Sequence, residues 1–286
     1  MAPQPQQPKI NPADYEPASW RLLITGLRRG PENMAIDEAI LEAVAAGEAP
    51  PTLRFYGWEP ACLSLGYAQE AELVDFDACE ELGWDVVRRT TGGRAILHVD
   101  ELTYSVCAPA GSSRVKGDVI ESYQRLSLAL VAGLKLMGLN PERAKPYYQD
   151  AGAKGPACFD GPSNYEIMVG GRKLIGSAQV RRHGMVMQHG TLPLAGDITR
   201  IAKGLYVDYP GQRMAIENRL RFRATTLLQS GGQGYDFARA ADTMAQGFAQ
   251  ALNLTLEPGE LTAKELARAA ELEREKYASS EWTERI

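Results

Sequence analysis

The sequence predicts an α/β protein of the α+β type, in which a mixed, largely antiparallel central sheet is flanked by helices. Strands and helices do not alternate regularly along the chain, which argues against a doubly wound parallel sheet. Three predicted strands follow one another across short turns, at residues 164–169, 173–180 and 185–192. Strands joined by tight turns pair antiparallel, so one mixed sheet explains this order best.

The first half of the chain begins with a strand and a helix and continues mainly with strands. Predicted strands cover residues 20–26, 52–57, 61–66, 84–88 and 102–107, with a short helix at 75–82. Asn33 is expected to cap the first long helix, which runs to about Ala46. Ile36, Ile40 and Val44 repeat at helical spacing, so one face of this helix should pack on the core.

Capping signals mark the helices of the second half. Asp118 precedes a long helix and Glu121 follows three residues later, which is the pattern of a capping box. Thr262 and Glu265 repeat that pattern at the start of a final helix. Between these two helices, residues 236–252 place apolar side chains at helical spacing.

The composition is typical of an acidic globular protein. The chain has 286 residues, of which 44% are hydrophobic, and 31 basic and 36 acidic side chains give a net charge of −5. Nucleic acid is not an expected partner, since binding it needs a basic excess. A membrane is not expected either, because the apolar stretches are too short to span one. The predicted organisation is a disordered Pro/Gln-rich tail at 1–12, one main domain at 13–253 and a C-terminal helical extension at 254–286.

The glycine-rich segment Arg88–His98 is the first candidate site. Gly92 and Gly93 let the backbone approach a ligand closely, and the arginines beside them could hold a phosphate or an acidic partner. Those arginines are Arg88, Arg89 and Arg94. The alternative is a tight turn between strands with solvated arginines, and the residues alone do not separate the two.

Cys158 is the second candidate, because proline, glycine and aspartate around it indicate a loop. Loops often carry function, and a cysteine beside a cation ionises more readily. The other cysteines, Cys62, Cys79 and Cys107, fit packed strands or a helix. The chain has no CxxC pair and no export signal, so reduced thiols in the cytoplasm are expected.

Lys173 opens a predicted strand and is the third candidate. It could point into a site as a positive charge, although a lysine at such a position usually reaches solvent. The small residues that follow it, Gly176, Ser177 and Ala178, leave room for a slender ligand.

His98 and His189 end segments that carry other candidate residues, so both are kept as possible site residues. His183 is expected in a solvated turn. No histidine has metal-ligand spacing with the cysteines, and no metal is predicted.

Together these segments resemble the biotin/lipoate protein ligase family. RRTTGGRAILH looks like its RRxxGGxxxxH signature, ENMAIDEAIL like its first helix, GRKLIGSA like its lysine strand and MQHGTLPL like the following strand. The match extends over about residues 20–250 in the order of the family. The resemblance implies a catalytic domain built on a central mixed sheet, with the family's lysine at Lys173.

Within this family, PACFDGPSNYE resembles the cysteine octanoyltransferases related to lipoate-protein ligase A. This implies that Cys158, 15 residues before Lys173, is the nucleophile. It would take octanoyl from octanoyl-acyl carrier protein and pass it to a lysine of a lipoyl domain. Acceptors would be 2-oxoacid dehydrogenases or the glycine cleavage H protein, and no cofactor would be needed.

The resemblance also implies roles for the other candidates. Lys173 would favour the thiolate and steady the oxyanion of the tetrahedral intermediate. The acyl tunnel would be bordered by Gly92, Gly93, Gly176, Ser177 and Ala178. An acidic carrier domain would be met by Arg88, Arg89 and Arg94.

Three alternatives remain open from the sequence. An ATP-dependent lipoate ligase would hold an acyl-adenylate with the glycine-rich loop and Lys173, and Cys158 would be incidental. An amidotransferase would take octanoyl from another lipoyl protein by the same covalent chemistry. A non-catalytic module would only bind an acylated carrier, and the pair of Cys158 and Lys173 weighs against it.

Overall fold

A computed structural model describes residues 15–143, 157 and 166–286. Its strands are β1 (Ala18–Arg28), β2 (Thr52–Trp58), β3 (Cys62–Leu65), β4 (Asp85–Arg88), β5 (Ile96–His98), β6 (Glu101–Pro109), β7 (Glu142–Arg143), β8 (Ile167–Val169), β9 (Arg172–Arg182), β10 (Met185–Pro193) and β11 (Leu254–Pro258). Its α-helices are α1 (Gly30–Ala45), α2 (Phe76–Glu81), α3 (Val119–Leu136), α4 (Pro210–Arg223), α5 (Phe237–Leu252), α6 (Ala263–Leu272) and α7 (Ser280–Thr283). The predicted tail at 1–12 lies outside the described residues.

A large mixed sheet and a small one organise these elements. The large sheet has the order β11-β1-β2-β6-β10-β9-β8-β7. Strand β1 is parallel to β2 and to β11, whereas the other neighbouring pairs are antiparallel. A second sheet of three strands has the order β4-β3-β5. The predicted fold class, a mixed and largely antiparallel sheet flanked by helices, is confirmed.

Successive side chains of β2 point to opposite faces of the large sheet, and both faces are covered. Leu53 and Phe55 belong to a core shared with helices α3 and α5. Arg54 and Tyr56 point to the opposite face, where both contact Asp37 of α1. Helix α1 and the small sheet therefore lie on one side of the large sheet, and the α3–α5 pair lies on the other.

Helix α1 begins earlier than the sequence analysis placed it. It starts at Gly30, with Pro31 in its first turn, so Asn33 is not its cap. Asn33 is instead fully buried, and its side-chain amide donates to the Gly57 carbonyl at 2.9 Å. A polar residue before an apolar run has the sequence pattern of a helix N-cap. The Asn33 side chain instead bonds to a strand that is distant in sequence.

Strands β5 and β11 and helix α4 are among the elements that the sequence analysis missed. Strand β5 has only three residues, and α4 buries only Ile216 and Leu220 in a largely polar segment. Strand β11 occupies the start of the predicted helical extension at 254–286, and it pairs with β1 at the edge of the large sheet. The helices after residue 253 therefore begin only at Ala263.

Local signals predicted other elements well. Both capping boxes form, at Asp118 with Glu121 and at Thr262 with Glu265. His183 is exposed and has a φ of +52° in the turn between β9 and β10, as expected for a solvated turn. Among the described residues, no helix is long and apolar enough to cross a membrane.

We expect Gly247→Ala to destabilise the contact between α3 and α5. A Cβ at Gly247 would lie 2.6 Å from the Gly133 Cα and 2.8 Å from the Ala129 carbonyl oxygen, so the two helices would have to separate. Such overpacking typically costs about 1–3 kcal/mol. Urea denaturation measures this loss, with Gly111→Ala as control because a Cβ there meets nothing within 4 Å. A Gly247→Ala protein as stable as Gly111→Ala would contradict the close packing.

Candidate functional site

A narrow cleft lies between the small sheet and strands β9 and β10. Its described lining is Trp58, Arg89, Gly93, Ile96, His98, Thr103, Gly176, Ser177, Ala178, His189, Gly190 and Thr191. The surface exposed inside the cleft is almost entirely carbon, and its volume is about 40 Å³. Seven of the residues predicted from sequence therefore meet here, although they come from three separate segments of the chain.

Strand pairing explains why these residues meet. Gly176 faces Thr191, and Ala178 faces His189, across the β9–β10 ladder. Gly190 leaves no space for a side chain, since a Cβ there would lie 2.6 Å from the Gly176 carbonyl oxygen. The sequence analysis missed Gly190, Thr191, Trp58, Ile96 and Thr103. Inward alternation along the predicted strands was the signal that could have found Thr191 and Thr103.

Arg89 holds the glycine-rich loop in shape rather than facing solvent. Its Nη2 donates to the carbonyls of Gly92 and Arg94, both at 3.1 Å, and its Nη1 donates to the Ser64 carbonyl at 2.7 Å. Gly93 has a φ of +96°, which favours glycine, at the point where the loop approaches Ala178. The loop is therefore a fixed wall of the cleft, while Gly92 is exposed outside the described lining.

Arg88 lies away from the cleft. Its buried guanidinium donates to the carbonyls of Gly66 at 3.0 Å and of Thr283 at 2.9 Å. The prediction that Arg88 and Arg89 meet a carrier domain is wrong, because both side chains are buried and bound to backbone carbonyls. For Arg94, which is half-buried, that role stays a prediction.

His98 is fixed on both ring nitrogens. Its Nδ1 lies 2.8 Å from a Glu101 carboxylate oxygen, and its Nε2 lies 2.7 Å from the Ser64 hydroxyl. Arg89 also donates to the Ser64 hydroxyl oxygen at 2.6 Å. The ring stacks on Trp58 with 4.0 Å between centroids. His98 therefore forms a rigid end of the cleft.

His189 connects the cleft to a buried ion pair. Its Nε2 lies 2.7 Å from the Thr91 hydroxyl and its Nδ1 lies 3.7 Å from the Asp37 carboxylate. Burial lowers the pKa of His189 and outweighs the attraction of Asp37. Burial raises the pKa of Asp37, but the charges and hydrogen bonds of Arg54 and His189 bring it below its usual range.

Lys173 points into the protein, so the alternative that it reaches solvent is wrong. Its side chain is 4% exposed, and Nζ donates to a Glu166 carboxylate oxygen at 2.6 Å. The Lys173 carbonyl accepts from the Thr225 backbone N–H at 3.0 Å, so both the backbone and the side chain of Lys173 are hydrogen-bonded. Glu166 was missed by the sequence analysis, although a carboxylate one strand before a buried lysine is a recognisable ion-pair signal.

Cys158 lies outside the described residues. Its neighbour in sequence, Ala157, is described and buried, and forms a parallel bridge with Ala95 of the glycine-rich loop. The other three cysteines, Cys62, Cys79 and Cys107, are buried, as predicted. Burial raises the pKa of all three, to about 11 for Cys79, so they remain protonated thiols at neutral pH.

Among the residues that the structure describes, no group of three or more His, Cys, Asp or Glu side chains is placed to hold a metal ion.

The fold and this cleft define a catalytic domain of the lipoyl ligase type. The family model of the lipoyl protein ligase A/B catalytic domain matches residues 29–249, and the chain belongs to that family. Within it, the chain is 45% identical to the octanoyltransferase LipM of Symbiobacterium thermophilum, over 93% of this chain and 98% of that protein. The octanoyltransferase LipM of Staphylococcus aureus is 37% identical over 92% of this chain and 98% of that protein.

Solved structures agree with this assignment. Lipoate-protein ligase A bound with ATP superposes with a TM-score of 0.75 and 26% identity, covering 93% of this chain and 99% of that one. A bipartite lipoate protein ligase of Thermoplasma acidophilum reaches a TM-score of 0.78, covering 93% of this chain and 96% of that one. At 24% identity, the second likeness supports the fold alone.

We expect His189 to make the free energy of unfolding decline as the pH falls below about 6.5, the unfolded pKa of histidine. The folded state lowers its pKa below 6.5, so its stabilising contribution is complete above pH 6.5 and is lost as the pH falls toward the folded pKa. His189→Gln should flatten the decline of the free energy of unfolding in this window. Urea denaturation at several pH values measures it, with His183→Asn as a control for loss of an exposed histidine. An unchanged slope in His189→Gln would contradict the assignment.

Proposed function

We propose that this chain transfers an octanoyl group from octanoyl-acyl carrier protein to a lysine of lipoyl carrier domains, through a thioester on Cys158. The observation that carries the proposal is the carbon-lined cleft bordered by Gly176, Ser177 and Ala178, on the same strand as the buried cation of Lys173. The octanoyltransferase relatives, which match nearly the full chain, support the acyl group and the reaction class.

The proposed chemistry has two balanced steps. The Cys158 thiolate attacks the thioester carbonyl of the donor, and the carrier thiolate leaves and takes a proton. The lysine amine of the acceptor then attacks the new thioester, loses a proton and releases the Cys158 thiolate. The acyl group arrives already activated, so neither step needs nucleotide hydrolysis. We propose that this occurs in the cytoplasm, where thiols stay reduced.

Lys173 and Glu166 support this chemistry through their burial. A buried ammonium without a partner tends to lose its proton, and a carboxylate at 2.6 Å counters that tendency. A protonated Lys173 would favour the Cys158 thiolate and the oxyanion of each tetrahedral intermediate. The position of Ala157 beside Ala95 supports the participation of this segment, because it brings the residue before Cys158 to the glycine-rich loop.

The ATP-dependent ligase is the main rival, because a structural neighbour is a lipoate-protein ligase A bound with ATP. The two functions differ in their donor. A ligase uses a free acid and ATP, whereas the proposed transferase uses a thioester. The amidotransferase alternative uses an octanoylated lipoyl protein as donor, so it is tested in the same experiment.

We expect octanoyl-acyl carrier protein to add one octanoyl group to the protein without ATP or magnesium, and an apo lipoyl domain to remove it. Intact mass spectrometry follows both steps. Cys158→Ser should abolish transfer to the lipoyl domain. Cys79→Ser, which changes a buried thiol outside the cleft, should lose stability before it loses chemistry.

Strict dependence on ATP with free octanoate would show a ligase. Acylation by an octanoylated lipoyl protein alone would show an amidotransferase. Full turnover in Cys158→Ser would rule out the covalent route.

We expect Lys173→Ala to slow alkylation of Cys158 at pH 7, because removing the cation leaves the Glu166 carboxylate and raises the pKa of the thiol. Each unit of pKa change lowers the thiolate fraction about tenfold. The measurement is the iodoacetamide labelling rate against pH, with Lys203→Ala as an exposed control. Lys173→Ala/Glu166→Gln removes both charges and should recover part of the rate. Identical labelling profiles in wild type and Lys173→Ala would remove Lys173 from this role.

A further inference from the structure

Thr191 of β10 brings a buried hydroxyl without a partner to the carbon-lined cleft. The residue lines the cleft and is only 2% exposed. Its hydroxyl oxygen is shielded from solvent and has no hydrogen-bond partner in the described part of the chain. A buried hydroxyl gives up its bonds to water, so leaving it unpaired costs free energy. Folded proteins pair nearly all such groups, and an exception requires an explanation.

Every other polar side chain in the described lining of this cleft has a partner within the protein. These side chains are Trp58, Arg89, His98, Thr103, Ser177 and His189. Thr103 gives the closest comparison, because it lies directly opposite Thr191 in the ladder between β6 and β10. Its hydroxyl accepts from Trp58 Nε1 at 2.8 Å and donates to a Glu101 carboxylate oxygen. The fold therefore pairs the hydroxyl of one threonine in this row and not that of its neighbour.

The strand itself does not require a hydroxyl at residue 191. Valine has nearly the same shape as threonine, is favoured in strands and has no polar side-chain atom to pair. On the other side of β10, Thr191 faces Gly176, which has no side chain that could cover the hydroxyl. A buried hydroxyl in this setting indicates a hydrogen bond to a ligand.

The position of Thr191 along β10 indicates which ligand atom it meets. Pro193 lies two residues further on the same face, about 7 Å away along the strand. It lines a small pocket together with Ala157, which directly precedes Cys158 in sequence. In the opposite direction, His189 continues the lining of the cleft. Thr191 therefore lies between the carbon-lined part of the cleft and the side from which the Cys158 segment approaches.

An acyl thioester has one oxygen, the carbonyl oxygen, between its hydrocarbon chain and its sulfur. The chain itself matches a surface of carbon and offers nothing to a hydroxyl. We propose that the Thr191 hydroxyl donates a hydrogen bond to the carbonyl oxygen of the acyl group. This inference rests on the proposed function, and it adds a neutral donor to the buried cation of Lys173.

The contact becomes stronger as the reaction proceeds. When a thiolate or an amine attacks the carbonyl carbon, the carbonyl oxygen gains negative charge, and hydrogen bonds to charged acceptors are the stronger ones. Thr191 keeps its proton throughout, so the bonds that form and break remain those of the two proposed steps. Because the tetrahedral intermediate gains more than the bound donor, the hydroxyl should affect the rate more than the affinity.

Stability measurements first test whether the hydroxyl is unused by the fold. Thr191→Val removes the hydroxyl without removing a bond within the protein, so the urea midpoint should stay the same or rise. Thr103→Val removes a hydroxyl that Trp58 and Glu101 both use, so its midpoint should fall. An equal fall in both variants would overturn the proposal, because the Thr191 hydroxyl would then be bonded within the fold.

The rate of acylation tests the contact in the reaction. Single-turnover acylation by octanoyl-acyl carrier protein is followed by intact mass spectrometry. We expect Thr191→Val to slow this step by about tenfold to a hundredfold, the range typical of a lost hydrogen bond to a charged oxygen. Thr191→Ser retains the hydroxyl and should recover most of the rate. Acylation of Thr191→Val at the wild-type rate would overturn the proposal.

Binding without chemistry separates this contact from the proposed function. In Cys158→Ala, calorimetry compares octanoyl-pantetheine with S-octyl-pantetheine, a thioether that has no carbonyl group. We expect the thioester to bind about threefold to tenfold more tightly, and Cys158→Ala/Thr191→Val to lose this preference. A preference that is absent in Cys158→Ala, or unchanged in the double variant, would overturn the proposal. A preference that depends on Thr191, in a protein whose wild type is never acylated, would reject the transferase and keep the carbonyl contact.

Discussion

The buried ion pair between Asp37 and Arg54 joins the first helix to the central sheet, and the shape of the site depends on it. Arg54 Nη1 lies 2.7 Å from the Asp37 carboxylate, and both side chains are 1% exposed. The carboxylate also faces His189, whose other nitrogen meets the Thr91 hydroxyl of the glycine-rich loop. Removing one charge would leave the other buried without compensation, at a typical cost of about 3–5 kcal/mol. Helix, sheet and loop are therefore held in one arrangement.

Arginine side chains extend this framework to the end of the chain. Arg89 ties the glycine-rich loop to itself, whereas Arg88 donates to the Thr283 carbonyl. Trp282 returns a hydrogen bond from its indole nitrogen to the Arg88 carbonyl at 2.9 Å. The C-terminal segment therefore supports the loop that forms one wall of the cleft. Residues at the end of the chain therefore help to keep that wall of the cleft rigid, although they are far from it in sequence.

The pairing of Lys173 with Glu166 links the framework to the proposed chemistry. A cation held out of water acts strongly on nearby charge, because little solvent screens it. The same burial requires a compensating carboxylate, and Glu166 supplies it at 2.6 Å.

The sequence by itself determined the features that depend on near neighbours. The hairpin of β9 and β10 and the two capping boxes follow from local patterns, and seven residues of the family motifs line one cleft. Tertiary structure decided what local patterns do not encode. Arg88 and Arg89 are adjacent and chemically equal, but successive side chains point in opposite directions and meet different partners. Strand β11 and the role of Asn33 also depend on distant segments, because their hydrogen bonds form only after β1 and β2 are in place.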